Sequence, residues 1–169
     1  MAEKEPILTT RELIFGAVFA AVVCVATMVI HIPIPATAGY INLGDSMIFV
    51  SALLFGTKVG GIAGGVGSAL ADILLGYGSW APFTLIIKGT EGLVVGHLGK
   101  KKDSVLWQTF AVLIGGIIMV LGYFIVEVVL YGVPAAAAEL PGNLFQALSG
   151  LVIAIIIVTA VKKAMPEKF

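Results

Sequence analysis

Five ionisable side chains interrupt stretches that are otherwise apolar: Asp45, Asp72, Lys88, Glu91 and Glu127. A charged group at membrane depth costs about 2.5–3.5 kcal/mol or more, so such residues face a protein interior or a water-filled cavity and mark binding sites or relays. Lys88 and Glu91 stand three apart, which puts them on one helix face where they can pair. Lys88 can instead pair with Asp72 and lock two helices together. Asp45 opens an apolar stretch, where a carboxylate also complements the helix dipole. Asn42, Thr84, Asn143 and Gln146 fall at a depth similar to that of Asp45, Asp72 and Glu127, with Lys88 and Glu91 nearer the middle. So many polar groups at one depth predict a cavity that opens to one side and holds a solute by hydrogen bonds. Tyr40, Tyr77, Trp80, Phe83, Tyr123 and Tyr131 gather on that same side. An interfacial aromatic belt accounts for most of them, but Tyr77, Trp80 and Phe83 flank one short loop and are placed to stack on a flat ligand.

Other chemistries find little support. Cys24 is the only cysteine, and His31 and His97 are the only histidines, near opposite ends of their stretches. No intramolecular disulfide or Cys/His metal cluster can be built from them. The acids lack metal-ligand spacing, so neither a metal nor catalysis is expected. Gly60-Gly61-Ile62-Ala63-Gly64-Gly65-Val66-Gly67-Ser68 lacks the Gly-Lys-Ser/Thr ending of a phosphate loop and follows no strand. Its small residues recur at four-residue spacing (Gly60/Gly64, Gly61/Gly65, Gly64/Ser68), which instead gives a helix a smooth face for close packing.

The elements that must position these groups are membrane helices. The chain is 59% hydrophobic and 12% charged, far more apolar than a soluble domain. A span of about 20 apolar residues crosses the hydrocarbon core, and on that ruler residues 1–169 form a single all-α membrane domain with helices at about 10–30, 43–57, 59–75, 82–98, 105–131 and 140–162. Thr9 and Glu12 have capping-box spacing before the first, and Pro33 and Pro35 stop it. An N-terminal signal peptide is disfavoured, because the apolar run 13–30 exceeds the usual 7–15-residue core and Glu3, Glu5 and Glu12 dilute the positive leader. Lys4, Arg11, Lys58, Lys100, Lys101, Lys102, Lys162, Lys163 and Lys168 all lie at alternate ends of the six helices. By the positive-inside rule both termini are cytoplasmic, and the loops 31–42, 76–81 and 132–139 face outward without lysine or arginine. This segregation of sign is no signature of nucleic-acid binding.

Three segments together resemble a known family: Gly39-Tyr40-Ile41-Asn42-Leu43-Gly44-Asp45-Ser46; the run from Gly60 through Gly67-Ser68-Ala69-Leu70-Ala71-Asp72; and Trp80-Ala81-Pro82-Phe83-Thr84 with Ile87-Lys88-Gly89 and Glu91-Gly92. They are similar to the substrate-binding S components of energy-coupling factor (ECF) vitamin transporters, in the riboflavin-type branch that also takes in proteins assigned to hydroxymethylpyrimidine or pyridoxine. The resemblance covers nearly the whole chain. It implies a multi-pass protein of a prokaryotic plasma membrane that captures a vitamin outside the cell with high affinity, the loop after the first helix serving as lid. It further implies partners, a transmembrane T component and two ATPases, with which the subunit topples to release its cargo inside, and no cofactor. Gly16, Ala17, Ala20 and Ala21 on the first helix match the small-residue pattern that docks on the T component. The substrate-binding residues expected, chosen from the polar groups and aromatics above, are Asn42, Asp45, Asp72, Tyr77, Trp80, Thr84, Lys88, Glu91, Glu127, Asn143 and Gln146.

One reading from another class stays open on the residues alone. Asp72, Lys88 and Glu91 could relay ions in a self-sufficient carrier, although six short spans without a clear internal repeat weaken it.

Overall fold

The structure, a computed structural model, describes residues 8–165; Glu3, Lys4, Glu5 and Lys168 lie outside the described residues. Six helices and one hairpin follow in order: α1 (Thr10–Val29), β1 (His31–Ile34), β2 (Gly39–Asn42), α2 (Gly44–Phe55), α3 (Thr57–Leu75), α4 (Ala81–Gly99), α5 (Val105–Tyr131) and α6 (Val133–Ala164). α1, α3, α5 and α6 are long and apolar enough to cross a membrane. α2, at 12 residues, reaches only about 18 Å at 1.5 Å per residue. α4 has 19 residues but carries Lys88 and Glu91 within it.

α1 begins with the capping box that its sequence announces: the Glu12 amide donates to Thr9 Oγ1 at 3.2 Å and the Thr9 amide to Glu12 Oε2 at 2.8 Å. Its continuation differs from a plain loop. Residues 31–42 form an antiparallel hairpin in which His31 pairs with Asn42 and Ile34 with Gly39, so the fold is not wholly α. Ile32, Ile34 and Ile41 are β-branched and Pro33 forbids a helix. A proline is tolerated in β1 because a two-stranded ribbon leaves one edge of each strand unpaired.

The last helix also departs from the sequence reading. It starts at Val133, not at 140, because Pro134 sits in its first turn, where a missing amide costs nothing, and Ala135–Ala138 favour helix. Pro141 lies inside it and removes one rung only, freeing the Ala137 carbonyl. The segment expected as an outer loop is therefore helical, and at 32 residues α6 is about 48 Å long.

The short helix α2 is the centre. It packs on α1, α3, α4 and α6, and its Phe49, Val50, Ala52 and Leu53 meet Val95, Val112, Ala154 and Val158 from α4, α5 and α6 in one buried cluster. α3 and α4 approach backbone to backbone. A Cβ added at Gly64 would strike the Lys88 carbonyl, one at Gly92 the Gly60 carbonyl, and one at Gly65 would lie 2.9 Å from the Leu85 carbonyl. The glycine-rich segment thus serves packing, and what it sets is the depth of Lys88. Along α1, Gly16 and Ala20 are turned inward on α3, against Ile62 and Gly67, while Ala17 and Ala21 stay on the outer face.

Candidate functional site: a polar cavity under a hairpin

Lys88 anchors the site. Its ammonium, 2% exposed, pairs with Asp45 and lies 3.3 Å from Glu91 Oε2, and it sits 5.6 Å from the centroid of the Tyr123 ring. Asp72, the other partner that the sequence allowed, is taken instead by Tyr40, whose hydroxyl donates to Oδ1 at 2.5 Å. Burial and the neighbouring Asp72 carboxylate push the Tyr40 phenol well above its ordinary pKa, so it remains a donor. Two carboxylates around one ammonium, all buried, form a network whose members hold one another in place; removal of one strands the rest.

From this cluster a chain of hydrogen bonds runs to the hairpin. Gln146 Nε2 donates to Asp45 Oδ2 at 2.9 Å, and Gln146 Oε1 accepts from the Asn42 amide at 2.8 Å. The Asn42 side chain accepts from the Gly44 amide at 2.8 Å, tying β2 to the start of α2. The hairpin tip is pinned twice more. The buried Thr37 hydroxyl donates to Glu139 of α6, and the Trp80 indole donates to the Ala38 carbonyl at 3.1 Å. Ala38 has φ 49°, a left-handed conformation that an L residue adopts only at a cost, so those two contacts hold a strained tip down. Glu139 in turn meets Glu127, to which Asn143 Nδ2 donates at 3.4 Å.

Beneath the hairpin lies a cavity of about 30 Å³, room for about two waters. Asn42, Asp72, Trp80, Thr84, Lys88, Asn143 and Gln146, all expected at the site, line it. Asp45 and Glu91 stand behind Lys88, and Glu127 behind Asn143. Tyr77 is off the cavity wall, its ring 4.7 Å from that of Tyr40. Phe83 is 36% exposed and only touches Trp80 edge-on at 6.2 Å. Sequence reasoning assigned Tyr40 and Tyr123 to the aromatic belt, yet both line the cavity, Tyr123 donating to Thr84 at 3.0 Å. It passed over Thr27, Ser68 and Glu139, which line it too. Glu139 was hidden by its placement in a loop. Thr27 is one four-residue step from Val23 along the buried face of α1, a periodicity that would have pointed to it.

An aromatic wall, a buried ion cluster and a hairpin cover suit non-covalent capture of a small ring. Residues 7–163 match the family described as ECF-type riboflavin transporter, S component. The thiamine precursor transporter HmpT of Lactococcus lactis is 34% identical over 145 residues, covering 85% of this chain and 83% of that one. An uncharacterized protein in the gap 3′ region of Pyrococcus woesei is 54% identical over 131 residues, or 78% of this chain and 88% of the other. In fold, the solved S component of a bacterial ECF transporter superposes with a TM-score of 0.74 at 19% identity, over 92% of this chain and 97% of its own. With its membrane helices, its buried cavity and a family match over nearly its full length, the chain belongs to the ECF-type riboflavin transporter S-component family, a family of membrane transport subunits.

Proposed function

We propose that this chain is the vitamin-binding subunit of an ECF importer, and that its ligand is a small heteroaromatic vitamin precursor of the hydroxymethylpyrimidine or pyridoxine kind. The observation that carries this is the cavity itself: polar groups from α1, α3, α4, α5 and α6 converge beneath one hairpin at the end of the bundle away from the lysine-bearing loops. Along α3 alone, Asp72 is about 21 Å from Lys58. With Lys58, Lys100–Lys102 and Lys162–Lys163 inside the cell, the chain crosses six times with both termini cytoplasmic, and the cavity faces out. HmpT is described as a thiamine precursor transporter, which favours the smaller ligand. At about 30 Å³ the cavity takes a ring only when the hairpin lifts, so residues 31–42 act as the lid.

The binding residues in this reading are Asn42, Asp72, Trp80, Thr84, Lys88, Asn143 and Gln146, with Asp45, Glu91 and Glu127 holding them in position and Tyr77 supporting Tyr40. Delivery inward requires a T component and two ATPases, and the exposed Ala17 and Ala21 are the part of the α1 small-residue face free to meet them. Gly16 and Ala20 are already used on α3. The test is uptake of labelled hydroxymethylpyrimidine by cells expressing the chain with and without the T component and ATPases. Uptake that depends on those partners and survives collapse of the proton gradient is expected. Uptake by the chain alone that collapses with the gradient would make it an ion-coupled carrier.

A further inference from the structure

On the outer surface of the bundle, α5 and α6 enclose an apolar furrow of about 270 Å³. Its floor is low because Gly116 has no side chain and Ala147 only a methyl, beside the buried Val112 and Val120. Its rims are Leu113, Ile117 and Leu121 on α5 and Leu144 and Leu148 on α6, all exposed. The α5 rim follows the helical repeat, and the same stripe runs back through Phe110 and Leu106 into a second hollow of about 480 Å³ that shares Leu113 with the furrow. The two form one track. From Trp107 to Leu121 it is about 21 Å long, the depth of one leaflet with its headgroups, which is about half of 40–45 Å.

What fits this track is thin. Large side chains stand over a small floor, the reverse of the smooth small-residue face that lets a helix approach closely, and a helix with its side chains is about 10–12 Å across. An alkyl chain is one methylene wide and can lie between the rims. The mouth of the track, by contrast, is polar and positive. The Lys102 ammonium is 5.1 Å from the centroid of the Trp107 ring there. Ser104 Oγ accepts the Trp107 amide at 3.2 Å and keeps its own proton to donate. The neighbouring acid, Asp103, is taken by Lys162 at 2.5 Å, so Lys102 has no carboxylate partner among the described residues. Lys100 lies elsewhere, against Gly56.

From this pairing of a narrow apolar furrow with an unmatched cation at its mouth, we propose that the track is a site for one anionic phospholipid. The headgroup phosphate sits on Lys102 and Ser104, an acyl chain lies between α5 and α6, and Trp107 marks the interfacial level that indoles favour. Basic pockets between membrane helices take such headgroups. The site is independent of the cavity beneath the hairpin, and because α5 and α6 build the furrow, a lipid in it leaves Ala17 and Ala21 of α1 uncovered.

Native mass spectrometry of the full chain in a mild detergent, with dioleoyl phosphatidylglycerol or dioleoyl phosphatidylcholine at equal concentration, reads the headgroup. The anionic lipid is expected to bind about fivefold more tightly, the worth of one interfacial lysine. Lys102→Gln should bring the two lipids level, whereas Lys163→Gln, which removes an exposed lysine off the track, should leave the preference in place. Both are surface substitutions and should not disturb folding. Phosphatidylglycerol with a mid-chain diazirine reads the furrow: on illumination it should label residues 113–121 and 144–151. Equal binding of the two lipids, equal loss of preference in both variants, labelling spread evenly over the outer helix faces, or a dimer of the chain in place of the lipid adduct overturns the proposal.

Discussion

At the residue scale the weight falls on Lys88. Its removal leaves Asp45 and Glu91 buried at 1% and 0% side-chain exposure with no cation, and breaking a buried pair in this way costs about 3–5 kcal/mol. Lys88→Met should lower the thermal stability of the purified protein by that amount. Asp45→Asn added to it should recover part of the loss, because one stranded charge is then gone. Equal stability of the parent and Lys88→Met would show that the cluster is not ionised as drawn. Trp80→Phe keeps an aromatic ring in the wall and removes the bond to Ala38. It should speed ligand release by roughly fivefold, the worth of about 1 kcal/mol, which stopped-flow fluorescence of Tyr and Trp residues would detect. Lys88 was legible because an ammonium in an apolar stretch needs a reason. Its pairing with Glu91 was legible too, from their three-residue spacing; its second partner was not, since Asp45 and Asp72 are equally acidic in the sequence and only the short, central α2 decides between them.

At the element scale, two contacts set the site: α3 on α4, and the hairpin on α6. Gly64→Ala pushes a methyl into the Lys88 carbonyl and should cost about 1–3 kcal/mol as overpacking, weakening ligand binding with it. Gly78→Ala, with nothing within 4 Å of the new carbon, should stay within about 0.5 kcal/mol of the parent; chemical or thermal unfolding of the pair separates packing from glycine content. For the lid, Thr37→Val removes the hydroxyl that reaches Glu139 and leaves a buried carboxyl without that donor, so ligand should dissociate about tenfold faster, with helical content by circular dichroism unchanged. The long helices could be read from their apolar runs and the first one from Thr9 and Glu12. The hairpin could not, because Pro33 and Pro35 signal only that a helix stops. The early start of α6 was masked by Pro134, which is a helix breaker in the interior but a good first-turn residue, and Glu139 was lost to the site with it.

At the scale of the whole molecule the division of labour follows from where charge and small residues lie. The cavity end is free of lysine and arginine outside the bundle, the opposite end carries Lys58, Lys100–Lys102 and Lys162–Lys163, and Lys162 there pairs with Asp103 at 2.5 Å. The exposed Leu13, Ile14, Val18 and Val25 of α1 give it an outer apolar face alongside Ala17 and Ala21. Ala17→Trp should therefore abolish uptake with the T component and ATPases while ligand binding by the isolated chain stays at the parent value; loss of both would place Ala17 in folding instead of docking. The central claim is that the cavity beneath the hairpin holds a small heteroaromatic vitamin precursor. Native mass spectrometry of the detergent-purified chain beside its Trp80→Ala variant addresses it most directly. A bound species with the mass of hydroxymethylpyrimidine or pyridoxine, present on the parent and lost from the variant, is the expected result. A flavin mass on the parent, or the same small ligand retained in full by Trp80→Ala, would contradict it.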